Sequence, residues 1–214
     1  ALYVSDFVLV TAGDDERVRF WNAHDGRMLW ITRKLGNPVR ALDVDDAGER
    51  FAVSLQDGRV QVRRLVDGDL LFSLSQQDGR VPIVRFAAHG TRLLSASSTG
   101  HAIVWNANDH TVVQEITRPA GLAAADLSPD GQLLATVDQG AHVAQVWSVG
   151  DGTLLHTLPG AAKDLLWVRF RPDGNALLLA GLDDLVQVLT LDGAPVVELA
   201  VGNPVHHAAW SRDG

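Results

Sequence analysis

The chain contains no cysteine, one methionine (Met28) and one tyrosine (Tyr3) among its 214 residues, and aromatic residues make up only 6% of it. Without cysteine there can be no disulfide and no thiolate metal site, although this leaves the cellular compartment open. Basic residues are also in short supply: 18 Lys and Arg stand against 26 Asp and Glu, for a net charge of −8. Those present are scattered, the densest group being Arg59, Arg63 and Arg64. Nucleic-acid binders gather Lys and Arg on one face, so an acidic chain without such a face argues against that class. A single Tyr and the lack of any low-complexity tract argue against a disordered interaction tail. Apolar runs such as Ala176–Ala180 are closely bounded by glycine and fall far short of the roughly 20 residues that span a bilayer as a helix. No window carries a convincing helical stripe, so the expected class is all-β.

Recognisable catalytic chemistry is missing as well. The eight histidines (His24, His89, His101, His110, His142, His156, His206 and His207) show no ligand spacing of the H-E-x-x-H kind. His206 and His207 are neighbours on an expected strand and point to opposite faces. The acid pairs Asp14-Asp15, Asp45-Asp46 and Asp183-Asp184 fall at turns, where Asp ordinarily satisfies backbone donors. Ser97-Ser98 lacks a G-x-S-x-G elbow, and no G-x-x-x-x-G-K-S/T loop offers to cradle phosphate. The expectation is a protein that is not an enzyme and uses no metal and no cofactor.

What the sequence does have is a period. V-R-F-W-N (Val18–Asn22), V-Q-V-R-R (Val60–Arg64), A-I-V-W-N (Ala102–Asn106), A-Q-V-W-S (Ala144–Ser148) and V-Q-V-L-T (Val186–Thr190) share one pattern. Their fourth positions, Trp21, Arg63, Trp105, Trp147 and Leu189, follow one another at a step of about 42 residues, within the 40–45 of a four-stranded repeat unit. Two sets of turns keep the same step. Ala47-Gly48, His89-Gly90, Asp130-Gly131, Asp173-Gly174 and Asp213-Gly214 form one; Asp25-Gly26, Asp67-Gly68, Asp151-Gly152 and Asp192-Gly193 form the other, where Asp109-His110 departs from the rule. Two hairpin turns per unit leave room for four short strands, labelled a to d from the inside outward. Alternation places them at Val39–Val44, Phe51–Leu55, Arg59–Leu65 and Leu70–Leu74 in the second unit. In the third they fall at Val81–Phe86, Arg92–Ser97, His101–Asn106 and Val112–Ile116.

With Trp-Asn or Trp-Ser ending strand c, and S-P-D-G (Ser128–Gly131) or R-P-D-G (Arg171–Gly174) between strands a and b, the chain resembles the bacterial WD-repeat β-propellers over essentially its whole length. The resemblance implies a buried hydrogen-bond set in each blade: Ser or Thr in strand b, Asp in the b–c turn, Trp in strand c and a His before strand a. Thr11, Asp15 and Trp21 match in the first unit, Ser95 and Trp105 in the third, Thr136 and Trp147 in the fourth, where an extra residue displaces the turn near Asp138. Asp57 and Asp183 hold the turn position in the second and fifth units, but Arg63 and Leu189 stand where the Trp would be, and no unit has the Gly-His that would supply the histidine before strand a. Those blades are expected to rely on apolar packing. Trp30 and Trp210 also fall in strand registers, and Trp167 remains open.

The reading is one domain over residues 1–214. Ala1–Asp6 aligns with the Ala209–Gly214 region, and there is no initiator Met and nothing like a signal peptide. The terminal strand Val205–Trp210 could therefore zip onto the first b–c–d set and close a five-bladed ring. Alternatively the chain is a segment of a larger propeller, of seven blades for example; the overlap of the ends favours the segment. Along strand a, the position before Phe86 and Phe170 runs Asp43, Arg85, Asp126, Arg169, Ala209, which predicts ion pairs between adjacent units.

Taken with the resemblance, the function expected is a non-enzymatic, cytoplasmic scaffold that binds a partner protein or neighbouring domains of its own chain, with no nucleic acid and no membrane. Chains of this kind often sit beside kinase, NTPase or protease modules. The alternative is a small-ligand or carbohydrate sensor using the central channel or an inter-blade pocket. In the family, partners meet the face built from the d–a and b–c connections. Carried over position by position, this gives Asp14, Gln56, Ser98 and Leu182 before the b–c turns, Arg40 and Asp164 at the starts of strand a, and Trp167 just beyond.

Overall fold

The computed structural model describes residues 2–5, 8–75, 79–160 and 162–211. Among them there is no helix, and the strands form five antiparallel sheets of four. The first unit holds β1 (Leu2–Ser5), β2 (Val8–Ala12), β3 (Val18–Asn22) and β4 (Met28–Ile31). In the second are β5 (Val39–Val44), β6 (Arg50–Leu55), β7 (Val60–Arg64) and β8 (Leu70–Leu74). The third contains β9 (Ile83–Ala87), β10 (Arg92–Ala96), β11 (His101–Asn106) and β12 (Val112–Thr117). The fourth is β13 (Leu122–Leu127), β14 (Leu133–Asp138), β15 (Ala144–Ser148) and β16 (Leu154–Leu158), and the fifth β17 (Leu165–Phe170), β18 (Ala176–Gly181), β19 (Leu185–Thr190) and β20 (Pro195–Ala200). In every sheet the strands pair in chain order. All five segments at the 42-residue step are third strands.

Sheets stack face against face, so most of the core lies between units. Phe20 of the first meets Phe51 of the second, Val62 of the second meets Leu93 of the third, and Leu158 of the fourth meets Leu165 and Leu177 of the fifth. Strand b is covered on both sides. β10 and β18 therefore read as near-continuous apolar runs, while strand d, at the rim, is largely exposed. Ala176–Ala180 is such a strand, buried throughout.

Three of the five tryptophan positions form the expected polar contact. Trp21 Nε1 donates to Thr11 Oγ1 at 2.8 Å, Trp105 Nε1 to Ser95 Oγ at 2.7 Å and Trp147 Nε1 to Thr136 Oγ1 at 2.9 Å. In the fifth unit Leu189 is buried and packs with Leu177, as apolar replacement requires. The second unit differs from that expectation. Arg63 keeps a polar contact, donating to Gln61 Oε1 at 2.9 Å and to the Gly68 carbonyl at 2.7 Å, because a half-buried guanidinium needs acceptors.

The expected terminal strand needs correction. Val205–Trp210 runs beside β17 but joins no sheet, and the inner strand of the first unit is β1. With β1 already on the edge of β2, the C-terminal segment has no strand to pair with there. The first and fifth sheets are not hydrogen-bonded to each other, and the series does not close into a ring. Strand a of the third unit also starts later than expected, at Ile83, while Asp213-Gly214 lies outside the described residues.

Candidate functional site

The d–a and b–c loops meet at one end of the sheets, and a recurring backbone bond ties them. Gln56 N–H donates to the Pro38 carbonyl at 2.9 Å, Ser98 N–H to Arg80 at 2.9 Å, Gln139 N–H to Gly121 at 3.0 Å and Leu182 N–H to Asp164 at 2.9 Å. Each joins a b–c turn to the connection that enters the same unit. Three of these donors, Gln56, Ser98 and Leu182, are positions expected from sequence. Gln139 is a fourth that the displaced turn in the fourth unit hid. Its side chain reaches back to the Ser98 carbonyl at 3.3 Å and so joins neighbouring units.

Arg40 is the hub of this face. Its Nη1 donates to Asp14 Oδ1 at 2.6 Å and its Nη2 to Gln56 Oε1, so three of the expected residues form one cluster spanning the first two units. Asp14 is largely exposed while Arg40 is mostly covered, and Arg40 Nε is buried without a partner. Next along the face, Arg118 makes a bidentate pair with Asp138, its shortest contact 2.6 Å, and lies over the Trp147 ring. Sequence reading missed Arg118. The signal available was its place before Gly121 at the start of the d–a connection. On the other side Asp164 faces His142 Nε2 at 3.3 Å.

Trp167 belongs elsewhere. Its indole N–H donates to the Ala208 carbonyl, its ring packs on His207 with centroids 4.5 Å apart, and Arg169 lies over it. It clamps the C-terminal segment of its own chain and is half-buried in doing so.

Among the first strands of neighbouring units lies a cavity of about 610 Å³ lined by Arg40, Asp43, Asp46, Arg85, Arg169, His207 and Trp210, among others. The alternating charges do pair across units. Arg169 Nη1 donates to Asp126 Oδ1 at 2.7 Å, and Arg85 Nε lies 3.9 Å from the same oxygen. The acids also take backbone donors from the next unit: Phe86 N–H meets Asp43 Oδ2 at 2.7 Å and Phe170 N–H meets Asp126 Oδ2 at 2.9 Å. Burial pushes Asp43 up to about 6 and Asp126 up to about 7, the pull of Arg85 opposing both shifts. A second, apolar pocket of about 830 Å³ opens between the first two units, with Trp30, Leu29, Leu65 and Leu71 in its walls.

Among the described residues no three His, Cys, Asp or Glu converge to hold a metal ion, and no helix is long and apolar enough to cross a membrane. No protein-family model matches the chain, and no curated protein sequence matches it. Function must therefore be argued from the geometry itself.

Proposed function

We propose that the chain is a binding scaffold of the WD-repeat β-propeller kind, cytoplasmic and without catalytic activity, whose loop face captures a partner protein or another domain of its own polypeptide. The observation that carries this reading is the recurring loop-to-loop hydrogen bond. It fixes exposed loop positions on a rigid base, so a partner would meet an ordered surface and lose little affinity to loop ordering. The Asp14–Arg40–Gln56 cluster supports it. An Arg held by two neighbours and surrounded by exposed polar groups has the composition of an interface anchor.

Residues 14, 40, 56, 98, 164 and 182 form the proposed binding surface, with Gln139 and Arg118 joining them. Trp167 sits outside it because its indole N–H and its ring engage its own chain. The test is capture of partners from a lysate by immobilised protein, comparing the native chain with an Arg40→Ala/Asp164→Ala variant. Loss of the captured band in a variant with unchanged thermal melting is the expected result. Retention by a folded double variant moves the binding surface to the opposite end or to the rim.

A second reading, a small-ligand or carbohydrate sensor, draws on the inner cavity. Arg85, Asp43 and His207 offer hydrogen-bonding groups there beside the Trp210 ring. Thermal-shift screening with sugars and small anions separates the two. Stabilisation that disappears in Arg85→Ala and survives in the loop-face variant supports the sensor.

A further inference from the structure

One place at the interface between neighbouring units is filled differently as it recurs. It belongs to the strand-b residue paired with the residue after the strand-c tryptophan position. Val8 holds it in the first unit, Arg50 in the second, Arg92 in the third and Leu133 in the fourth. Arg50 crosses to the third unit, where its Nη2 donates to the Gly90 carbonyl at 2.7 Å and its Nη1 to the Ala107 carbonyl at 3.4 Å. Its Nε donates to Asp45 Oδ2 at 2.9 Å. Arg92 lies against the a–b turn of the fourth unit, so that a Cβ on Gly131 would come within 2.9 Å of its Cγ. Leu133 packs on the core between the fourth and fifth units. Val8 is the shortest of the four, and beside it opens the apolar pocket of about 830 Å³.

That pocket is lined by the counterparts of what Arg50 touches. Gly48 and Leu65 are in its walls, one repeat step before Gly90 and Ala107. Leu71 adds an apolar wall, as does Trp30, whose ring is stacked on Phe20 with centroids 3.9 Å apart. Carbonyls beside an apolar trough suit a long side chain with a methylene stem and several donors at its tip, as Arg50 shows one interface further on.

Charge points the same way. The pocket opens at the end of the sheets formed by the a–b and c–d turns, away from the loop face. The c–d turns there carry Asp25, Asp67, Asp109, Asp151 and Asp192, whereas both lysines, Lys34 and Lys163, sit in d–a connections at the loop end. The two arginines in the pocket wall are already matched, Arg50 to Asp45 at 2.9 Å and Arg64 to Asp67 at 2.6 Å. Glu49, also in the wall, is exposed and has no ion pair among the described residues. An incoming cation meets a complementary surface.

We propose that this pocket receives an arginine side chain of a partner polypeptide. The stem lies along Val8, Trp30 and Leu71, and the guanidinium faces the Gly48 and Leu65 carbonyls with Glu49 at the mouth. Arginine suits the place better than lysine, because a planar fork of donors reaches two separate carbonyls at once. This is a binding surface at the opposite end from Arg40 and Asp164, and it stands independently of the loop-face reading.

The test titrates isotope-labelled chain with N-acetyl-arginine methylamide, the side chain on a capped residue. Amide resonances of Val8, Leu65 and Leu71 should shift with a Kd on the order of 1 mM, and N-acetyl-citrulline methylamide, neutral and of similar shape, should bind at least about tenfold more weakly. Val8→Arg, which supplies from within the side chain that fills the next interface, should abolish binding. Glu49→Lys, on an exposed turn, should weaken binding about tenfold with unchanged melting, and it keeps the test decisive if Val8→Arg fails to fold. No shift by about 50 mM probe, equal binding of the citrulline amide, or native affinity in either folded variant overturns the proposal. Tighter binding of free arginine than of the capped residue also overturns it, since the site would then take a small molecule. The Arg40→Ala/Asp164→Ala variant should bind the probe as the native chain does, so failure here and failure of the loop-face reading are distinguishable.

Discussion

Trp105 shows what one residue contributes at a repeat position. It is 2% exposed, fills the space between the second and third units, and spends its only polar hydrogen on Ser95. Trp105→Ala should cost about 3–5 kcal/mol in denaturant melts, the range for emptying a large aromatic site. Arg63→Ala, at the equivalent place, should cost clearly less, about 1–2 kcal/mol. It removes a half-buried side chain and leaves the Gly68 carbonyl without one donor. Equal losses would mean that the two positions are not distinguished by burial. Asp43 makes a prediction in pH. Its carboxyl titrates at about 6 in the folded chain against an ordinary 3.8, so between these values the native state holds more proton than the unfolded one. Stability from this group is therefore greatest at the acid end of that window and falls as pH rises through it, becoming level above. Asp43→Asn, which keeps an acceptor for the Phe86 N–H, should flatten the change in denaturation midpoint between about pH 4 and pH 6. A slope unchanged by the substitution would assign it to other groups. The turn acids oppose this trend only at lower pH. Asp173, for example, is drawn down to about 2 by its hydrogen bond with Arg171.

The c–d hairpin is the element that joins neighbouring rims. Gly68 has φ +73°, and a Cβ there would come within 3.1 Å of the Trp30 ring and 3.3 Å of Thr32, both from the preceding unit. The turn glycine is thus required twice, by its left-handed backbone and by a close approach. One unit later the same position is His110, which accepts φ +66° and lays its ring on Phe72 with centroids 3.8 Å apart. Phe72 is the counterpart of Trp30, so ring stacking offsets the backbone cost that glycine avoids. Gly68→Ala should destabilise by about 1–3 kcal/mol, whereas His110→Ala should lose the stacking and retain the strain. Melting of the two variants beside the native chain checks both. A neutral Gly68→Ala would show that Trp30 moves aside freely.

At the scale of the molecule, stability is shared between neighbours, since the large cores lie between sheets and each interior sheet depends on two others. Leu158→Glu, at a position 1% exposed between the fourth and fifth units, should therefore unfold both of them. Circular dichroism and denaturant melts beside the native chain check this. A Leu158→Glu chain that remains folded would mean that the fourth interface is dispensable.

The period alone determined the number of units, the identity of every third strand and the turns between them. It did so because each unit repeats one pattern of buried and turn positions, and alternation within about five residues is a local property. The charge alternation at Asp43, Arg85, Asp126 and Arg169 was legible for the same reason, since fixed spacing brings equivalent positions together. Tertiary structure decided what lies across units and at the ends. That Arg40 joins Asp14 to Gln56, that Arg118 holds Asp138, and that Trp167 clamps Ala208 depend on contacts tens of residues apart, for which no local pattern is a sign. Whether Val205–Trp210 is a strand could not be settled by its alternation. A strand exists only where a neighbouring edge accepts its hydrogen bonds, and β1 already occupies the edge it would have taken.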